Sequence, residues 1–166
     1  ASYIGKVVSL LYTRYLSGKK PIAMVSMDNC SHNGDKLFAA VDAYAQKWVE
    51  AGLVEEGFKA YIEDKNCVSF PWSMIDKITP RPDASVEKIL EADGIEELEP
   101  VVTSKNTWVA PFVNAEETEY LVIEDAFPNG RPEALTKGGL MFTERETVDK
   151  VEKMKGCTCL NPLHTC

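Results

Sequence analysis

The chain is predicted to fold as an α/β domain built on a parallel or mixed sheet, and three observations carry that prediction. Short apolar runs alternate with stretches whose apolar residues recur at helical spacing. The runs are bounded by Pro, Gly, Asn and Asp, the residues that punctuate strands. The 166 residues, 45% hydrophobic and 27% charged, have the length and composition of an ordinary globular domain with a core.

The elements follow in order. Ile4, Val7, Val8, Leu11 and Tyr15 repeat as one face of a first helix, which "SGKKP" stops. "PIAMVSM", Pro21 to Met27, is a continuous apolar run and reads as a buried strand. "DNCSHNGD" follows as a loop. Leu37, Val41, Tyr44, Ala45 and Trp48 mark a second amphipathic helix, closed by Gly52. "NCVSF", "EPVVTS" and "EYLVIED" are further strand candidates of the same sheet, with a helix around Val86, Ile89 and Leu90 between the first two. The last segment differs. Thr143 with Glu146 has capping-box spacing, so a final helix is expected to start near Thr143. Val148, Val151 and Lys155 share its face, and it should still be running at Cys166, as in a piece of a longer chain. A first domain is therefore expected over residues 1–142 and the start of a second over 143–166.

The formal net charge of −8 argues against nucleic acid as a partner, because phosphate binding needs a basic face. No apolar run reaches membrane-spanning length, and the opening stretch lacks the order of a signal peptide. Five cysteines, with Cys30 and Cys67 isolated, suit a reducing compartment. The expectation is a cytoplasmic protein of open oligomeric state.

In α/β sheets ligands sit beyond the carboxyl ends of the strands. The loops to examine are therefore "MDN" with Asp28 and Asn29, "SMIDKITP" with Asp76, and "EDAFPNGRP" with Glu124 and Asp125. Asn29 could donate an amide hydrogen into a cleft, or could simply shape a turn. A carboxylate followed by Pro and Gly is more often a turn than a site.

The tail "KMKGCTCLNPLHTC" gathers Cys157, Cys159, His164 and Cys166, all residue types that zinc accepts. On one regular helix Cys157 and Cys159 would point about 200° apart, so a shared metal needs a broken helix. Packing is the simpler role for these thiols. Glu152 and Lys155 are three apart, as are Asn161 and His164. Beside Val148 and Val151 a lysine would lose solvent, which favours its neutral form and use as a general base. A solvated helix with a routine Glu–Lys pair fits the same residues. Neither G-x-G-x-x-G nor G-x-x-x-x-G-K-[ST] occurs, so the chain carries no phosphate loop of its own.

Four blocks together resemble the long-chain polyol dehydrogenases, the family of mannitol 2-dehydrogenase, fructuronate reductase and tagaturonate reductase. They are "VSMDNCSHNG", "FPWSMIDKITP", "VIEDAFPNGRP" and "VEKMKGCTCLNPLH", in the family's order and across most of the chain. The resemblance implies the later part of a Rossmann-like dinucleotide-binding domain, lacking its Gly-rich first unit. The first helix of an all-α substrate domain would follow. It further implies a metal-independent enzyme that uses NAD or NADP to interconvert a secondary alcohol and a ketone of a sugar acid or polyol. Fructuronate and mannonate come ahead of fructose and mannitol. Lys155 resembles the family's general base and Glu152 its companion carboxylate. Asn29 and Asn161 resemble the amides that hold the developing alkoxide, His164 the substrate-positioning histidine and Asp76 the aspartate closing the network. Asp28 and Asp125 would lie near substrate or cofactor.

The chain departs from the family at three places. Lys155 and Asn161 stand as K-x5-N where the family has K-x4-N. On a regular helix the extra residue would swing Asn161 and His164 about 100° away from Lys155. A π-bulge between Gly156 and Leu160 would restore the shared face, in a stretch of poor helix formers. Trp72 replaces a residue that is more often polar, and Lys77 replaces an arginine. The Gly-rich first unit and most of the helical domain are absent, so the isolated chain is expected not to turn over.

Overall fold

In the computed structural model, the residues described are 2–115, 117 and 121–160. The chain forms two compact units, one of residues 1–76 with 119–166 and the other of residues 77–118.

The larger unit starts with α1 (Tyr3–Leu16), whose expected apolar stripe buries Val8, Leu11 and Tyr15. The Ser2 hydroxyl caps it by accepting from the Gly5 N–H at 3.0 Å. β1 (Ile22–Ala23), α2 (Asn33–Glu50), α3 (Glu56–Glu63) and β2 (Val68–Ser69) follow. β1 and β2 pair in parallel, with Ile22 opposite Val68. The predicted strand over Pro21–Met27 joins the ladder at only two residues. Its later carbonyls are taken by side chains, since Asn33 and Ser73 both donate to the Ser26 oxygen. Sequence reasoning missed α3, whose eight residues show barely two turns of periodicity, yet Phe58, Tyr61 and Ile62 on it are buried. These join Val8, Leu11, Tyr15, Val41, Ala45, Val54, Val68 and Phe70 in the main core.

A mixed second sheet completes this unit. β3 (Ser73–Met74) runs antiparallel to β6 (Val122–Glu124), which runs parallel to β7 (Met141–Thr143). A short α5 (Glu133–Lys137) connects β6 to β7. Only β6 was expected among these strands, and of its predicted segment Glu119 and Tyr120 lie outside the described residues. α6 (Arg145–Glu152) packs Val148, fully buried, beside Met74 and Val122. The expected cap at Thr143 does not form. Glu144 is the N-cap residue, without a side-chain hydrogen bond, and Thr143 belongs to β7. The sheet claims Thr143: it pairs with Glu124, and its carbonyl accepts from the Asp125 N–H at 2.8 Å. After Glu152 the backbone changes to a π-helix over Lys153–Leu160.

The smaller unit contains α4 (Ala84–Ala92), as expected, capped by the Asp83 carboxylate. β4 (Val101–Val102) and β5 (Trp108–Val109) also belong to it. The strand predicted at Val101 does not extend the α/β sheet. It forms an antiparallel hairpin with β5, closed by a turn in which Asn106 takes φ of 55°. Among the described residues, no helix is long and apolar enough to cross a membrane.

Candidate active site

The chain leaves β1 toward α2 through Asp28–His32, and Asn33 fixes where that loop stands. Asn33 is 2% exposed, and its amide donates to the carbonyls of Asp28 and Ser73, each at 3.0 Å. Its oxygen accepts from the Ser73 N–H at 3.0 Å, so one buried side chain is satisfied on both ends and pins the loop to β3. Gly34 permits the approach: a Cβ there would lie 2.3 Å from the Phe70 carbonyl oxygen. The neighbouring His32 takes a left-handed conformation, with φ 54° and ψ 42°.

This loop, the end of β3 and the last helix surround a cavity of about 210 Å³. Asp28, Asn29, Cys30 and Ser31 line it from the first strand end, Ser73 to Asp76 from β3, and Glu152, Gly156 and Cys157 from the α6–π junction. The Asn29 amide donates to the Asp76 carboxylate at 3.3 Å, which turns its remaining N–H into a defined direction. Asp28, Asn29, Asp76 and Glu152, four residues singled out from the sequence, therefore meet around one space although 124 positions separate the first from the last.

Lys155 is half-buried in the π-helix and is not among the residues lining the cavity, whereas its neighbours Gly156 and Cys157 are. The π register covers the segment where the extra residue was expected to be absorbed, and starts earlier, at Lys153. The Thr158 hydroxyl donates to the Lys153 carbonyl, five residues back, at 3.2 Å. Asn161, His164 and Cys166 lie outside the described residues. Asp125 stands elsewhere: it lines a separate cavity with Phe127 and Pro128 and receives both Nε and Nη2 of Arg131, at 2.8 and 2.6 Å. That guanidinium holds the Asp125 carboxyl below its ordinary pKa.

Sequence reasoning missed a set of residues that do not line the cavity but neighbour those that do in the chain. His32 Nε2 lies 3.1 Å from Asp149 Oδ1, and Lys153 Nζ lies 2.6 Å from Asp149 Oδ2. Lys153 and His32 together lower the Asp149 pKa, and Asp149 raises that of Lys153. The His32 ring stacks on Trp72, with centroids 4.0 Å apart and planes at 15°, and the Arg145 guanidinium lies 4.7 Å from the same indole. Arg145 also pairs with Glu124 at 3.0 Å and Asp35 at 3.2 Å. The four-residue spacing of Asp149 and Lys153 was legible in the sequence. The meeting of His32 with Trp72 and Asp149 was not. Cys157 and Cys159 are exposed free thiols, and among the described residues no group of three or more His, Cys, Asp or Glu side chains is placed to hold a metal.

Parallel strand β1, its crossover through α2 and α3 to β2, and a polar cavity at the strand end define the class: a Rossmann-type α/β domain. A family profile described as the mannitol dehydrogenase Rossmann domain matches residues 1–135, and the chain belongs to that family. It is 54% identical to a D-mannonate oxidoreductase of Thermotoga maritima over 163 residues, 98% of this chain and 30% of that protein. It is 31% identical to a mannitol 2-dehydrogenase of Aspergillus clavatus, covering 91% of this chain and 26% of that one. Among solved structures, it resembles the mannitol 2-dehydrogenase of Pseudomonas fluorescens in a ternary complex with NAD and D-mannitol. There the TM-score is 0.57 and the identity 30%, over 93% of this chain and 27% of that one. The chain thus spans about a third or less of the length of these relatives.

The cavity's size tests the fit of a dinucleotide. About 210 Å³ bordered by Asp28, Asn29, Ser73, Asp76 and Glu152 has room for a reacting carbonyl or a nicotinamide ring, and is smaller than whole-ligand pockets usually are. A space of this size and polar lining fits the nicotinamide end of such a cofactor. None of its lining residues forms a phosphate cradle.

Proposed function

We propose that the protein carrying this chain is a metal-independent, NAD-dependent oxidoreductase interconverting a secondary alcohol and a ketone of a sugar acid or polyol. Mannonate and fructuronate are the favoured pair, ahead of mannitol and fructose. The observation that carries this reading is the convergence of Asn29, Asp76 and Glu152 on one cavity at the head of the segment bearing Lys155. The 54% identity to a D-mannonate oxidoreductase supports the sugar-acid substrate, and the NAD in the related ternary complex supports the cofactor. When bound, the nicotinamide supplies or accepts the hydride. In this reading residues 1–142 are the later part of the dinucleotide-binding domain, and residues 143–166 begin the helical substrate domain. The free thiols Cys30, Cys67, Cys157 and Cys159 agree with a reducing, cytoplasmic setting.

The chain's own residues take the following roles. Lys155 gives a proton to the ketone oxygen in reduction and takes it back in oxidation. The neighbouring Lys153 is unsuited to that work, because Asp149 holds it cationic. Asn29, one N–H on Asp76, aims the other at the reacting oxygen, and Asn161 supplies a second amide. Two donors fixed before the reaction stabilise an alkoxide better than water, which must reorganise. Glu152 is the companion carboxylate of Lys155, and His164 orients the substrate.

The test is a screen of the full-length protein against sugar acids and polyols with both nicotinamide cofactors, followed by Lys155→Ala. Turnover should fall by roughly 10² or more, the ordinary cost of an acid–base group. Unchanged turnover in that variant would remove Lys155 from the mechanism.

A further inference from the structure

The stripe Arg145, Asp149 and Lys153 runs along α6 at four-residue spacing and ends at the first π-helical residue. Its first two members are tied to groups borne on other elements, outside the lining of the cavity. Arg145 reaches the Trp72 indole, Glu124 and Asp35. Asp149 faces the imidazole of His32, which itself lies flat on Trp72. His32 also closes the loop that carries Asp28 and Asn29, in a left-handed conformation that residues with a Cβ seldom adopt. Two contacts one helical turn apart fix both the rotation and the height of a helix, where a single contact leaves it free to roll.

We infer that His32 and Asp149, with Trp72 as their platform, are positioning residues: they set the π-helical segment Lys153–Leu160 at a fixed distance and angle from Asn29. The inference rests on the proposed function, in which Lys155 and Asn29 act on one oxygen. The consequence is geometric. A proton donor and an amide borne on different elements must converge on one atom, and a misplacement of about 1 Å can cost on the order of 10²-fold in rate. Asp149 gains from two partners at once. Lys153 neutralises it from i+4 while His32 holds it from the loop, so loss of His32 leaves Asp149 its contact with Lys153 and leaves Arg145, one turn earlier, as the remaining tie of this stripe to other elements.

The experiment uses the full-length protein with His32→Ala, Asp149→Ala, the double variant, His32→Gln and Lys155→Ala. Each alanine variant should lower kcat about 10- to 100-fold with KM changed less than about threefold. The double variant should be no worse than the stronger single one, because the pair acts as a unit. His32→Gln, which keeps an N–H able to meet Asp149, should recover most of the loss. Amide hydrogen exchange of residues 153–160 should accelerate in both alanine variants and return toward the parent in His32→Gln. Should His32→Ala fail to fold, Asp149→Ala carries the same two readouts.

The inference is overturned by exchange in 153–160 that matches the parent, or by kcat within about twofold of the parent in a background where Lys155→Ala abolishes turnover. The exchange measurement needs no turnover. Accelerated exchange in a protein inactive toward every sugar acid and polyol would sustain the tie while rejecting the reaction.

Discussion

Two parts of the larger unit are built on opposite physical terms. The region of α1, α2, α3, β1 and β2 buries eleven apolar residues, from Val8 to Phe70, in one cluster. Among the described residues, the cluster in the region of β3, β6, β7 and α6 buries Met74, Val122 and Val148. Beside the sheet pairings, Arg145, Glu124, Asp35, His32 and Asp149 make directional contacts there. Apolar burial is additive and tolerant of small shifts; hydrogen bonds and ring contacts weaken steeply with angle and distance. The first region therefore stabilises the fold, and the second holds positions. The cavity lies where the second meets the first region's strand-end loop.

The largest test of this division is Phe58→Ala. Phe58 is fully buried, edge-on to Tyr12 and Tyr15 with ring centroids 5.0 and 5.7 Å away. Its truncation should cost about 3–5 kcal/mol in denaturant unfolding while leaving the rate per folded molecule near that of the parent. A large loss of rate at unchanged stability would break the comparison. Gly34→Ala should cross both regions. Its methyl would press on the Phe70 and Pro71 carbonyl oxygens at 2.3 and 2.8 Å, which are backbone atoms and cannot swing aside. We expect about 2–3 kcal/mol of destabilisation, together with lost turnover as the Asn29 loop is pushed off β3.

The smallest effect belongs to the exposed pair Asp125–Arg131. Its bidentate geometry is good, but solvent screens both partners, so Asp125→Asn should cost under about 1 kcal/mol near neutrality. The sign with pH is fixed by the direction of the shift. The folded-state pKa of Asp125 lies below the unfolded value of about 3.9. The contribution is then complete above that unfolded value and disappears as pH falls through the folded one. Unfolding of parent and variant should converge in acid, and a gap that persists below about pH 2 would assign the loss to packing.

Much of the stabilising region is legible in the residues alone. The stripes of α1 and α2 repeat at 3.6 residues because each has one wet face and one dry one, and that asymmetry is written into the side chains. The elements that escaped notice were short. α3 offers two turns, while β3, β5 and β7 offer two or three residues each, too few for any period to emerge. Thr143 shows the other way of failing. Its spacing to Glu146 suits a helix cap, yet the same residue could serve a strand, and pairing with Glu124 decided between them. At the site, Asp28, Asn29, Asp76 and Glu152 could be named from chemistry and resemblance, and they do share a cavity. Asp125, named with them, stands apart with Arg131.

What the sequence determined by itself was the α/β class, the helices with long amphipathic faces and the residue types able to do the chemistry, because each of these depends on neighbours within a few turns. Only the tertiary structure could decide that His32 lies on Trp72 and faces Asp149. Their contacts span 40 and 117 positions, and nothing local favours one distant partner over another until the chain has closed around its core.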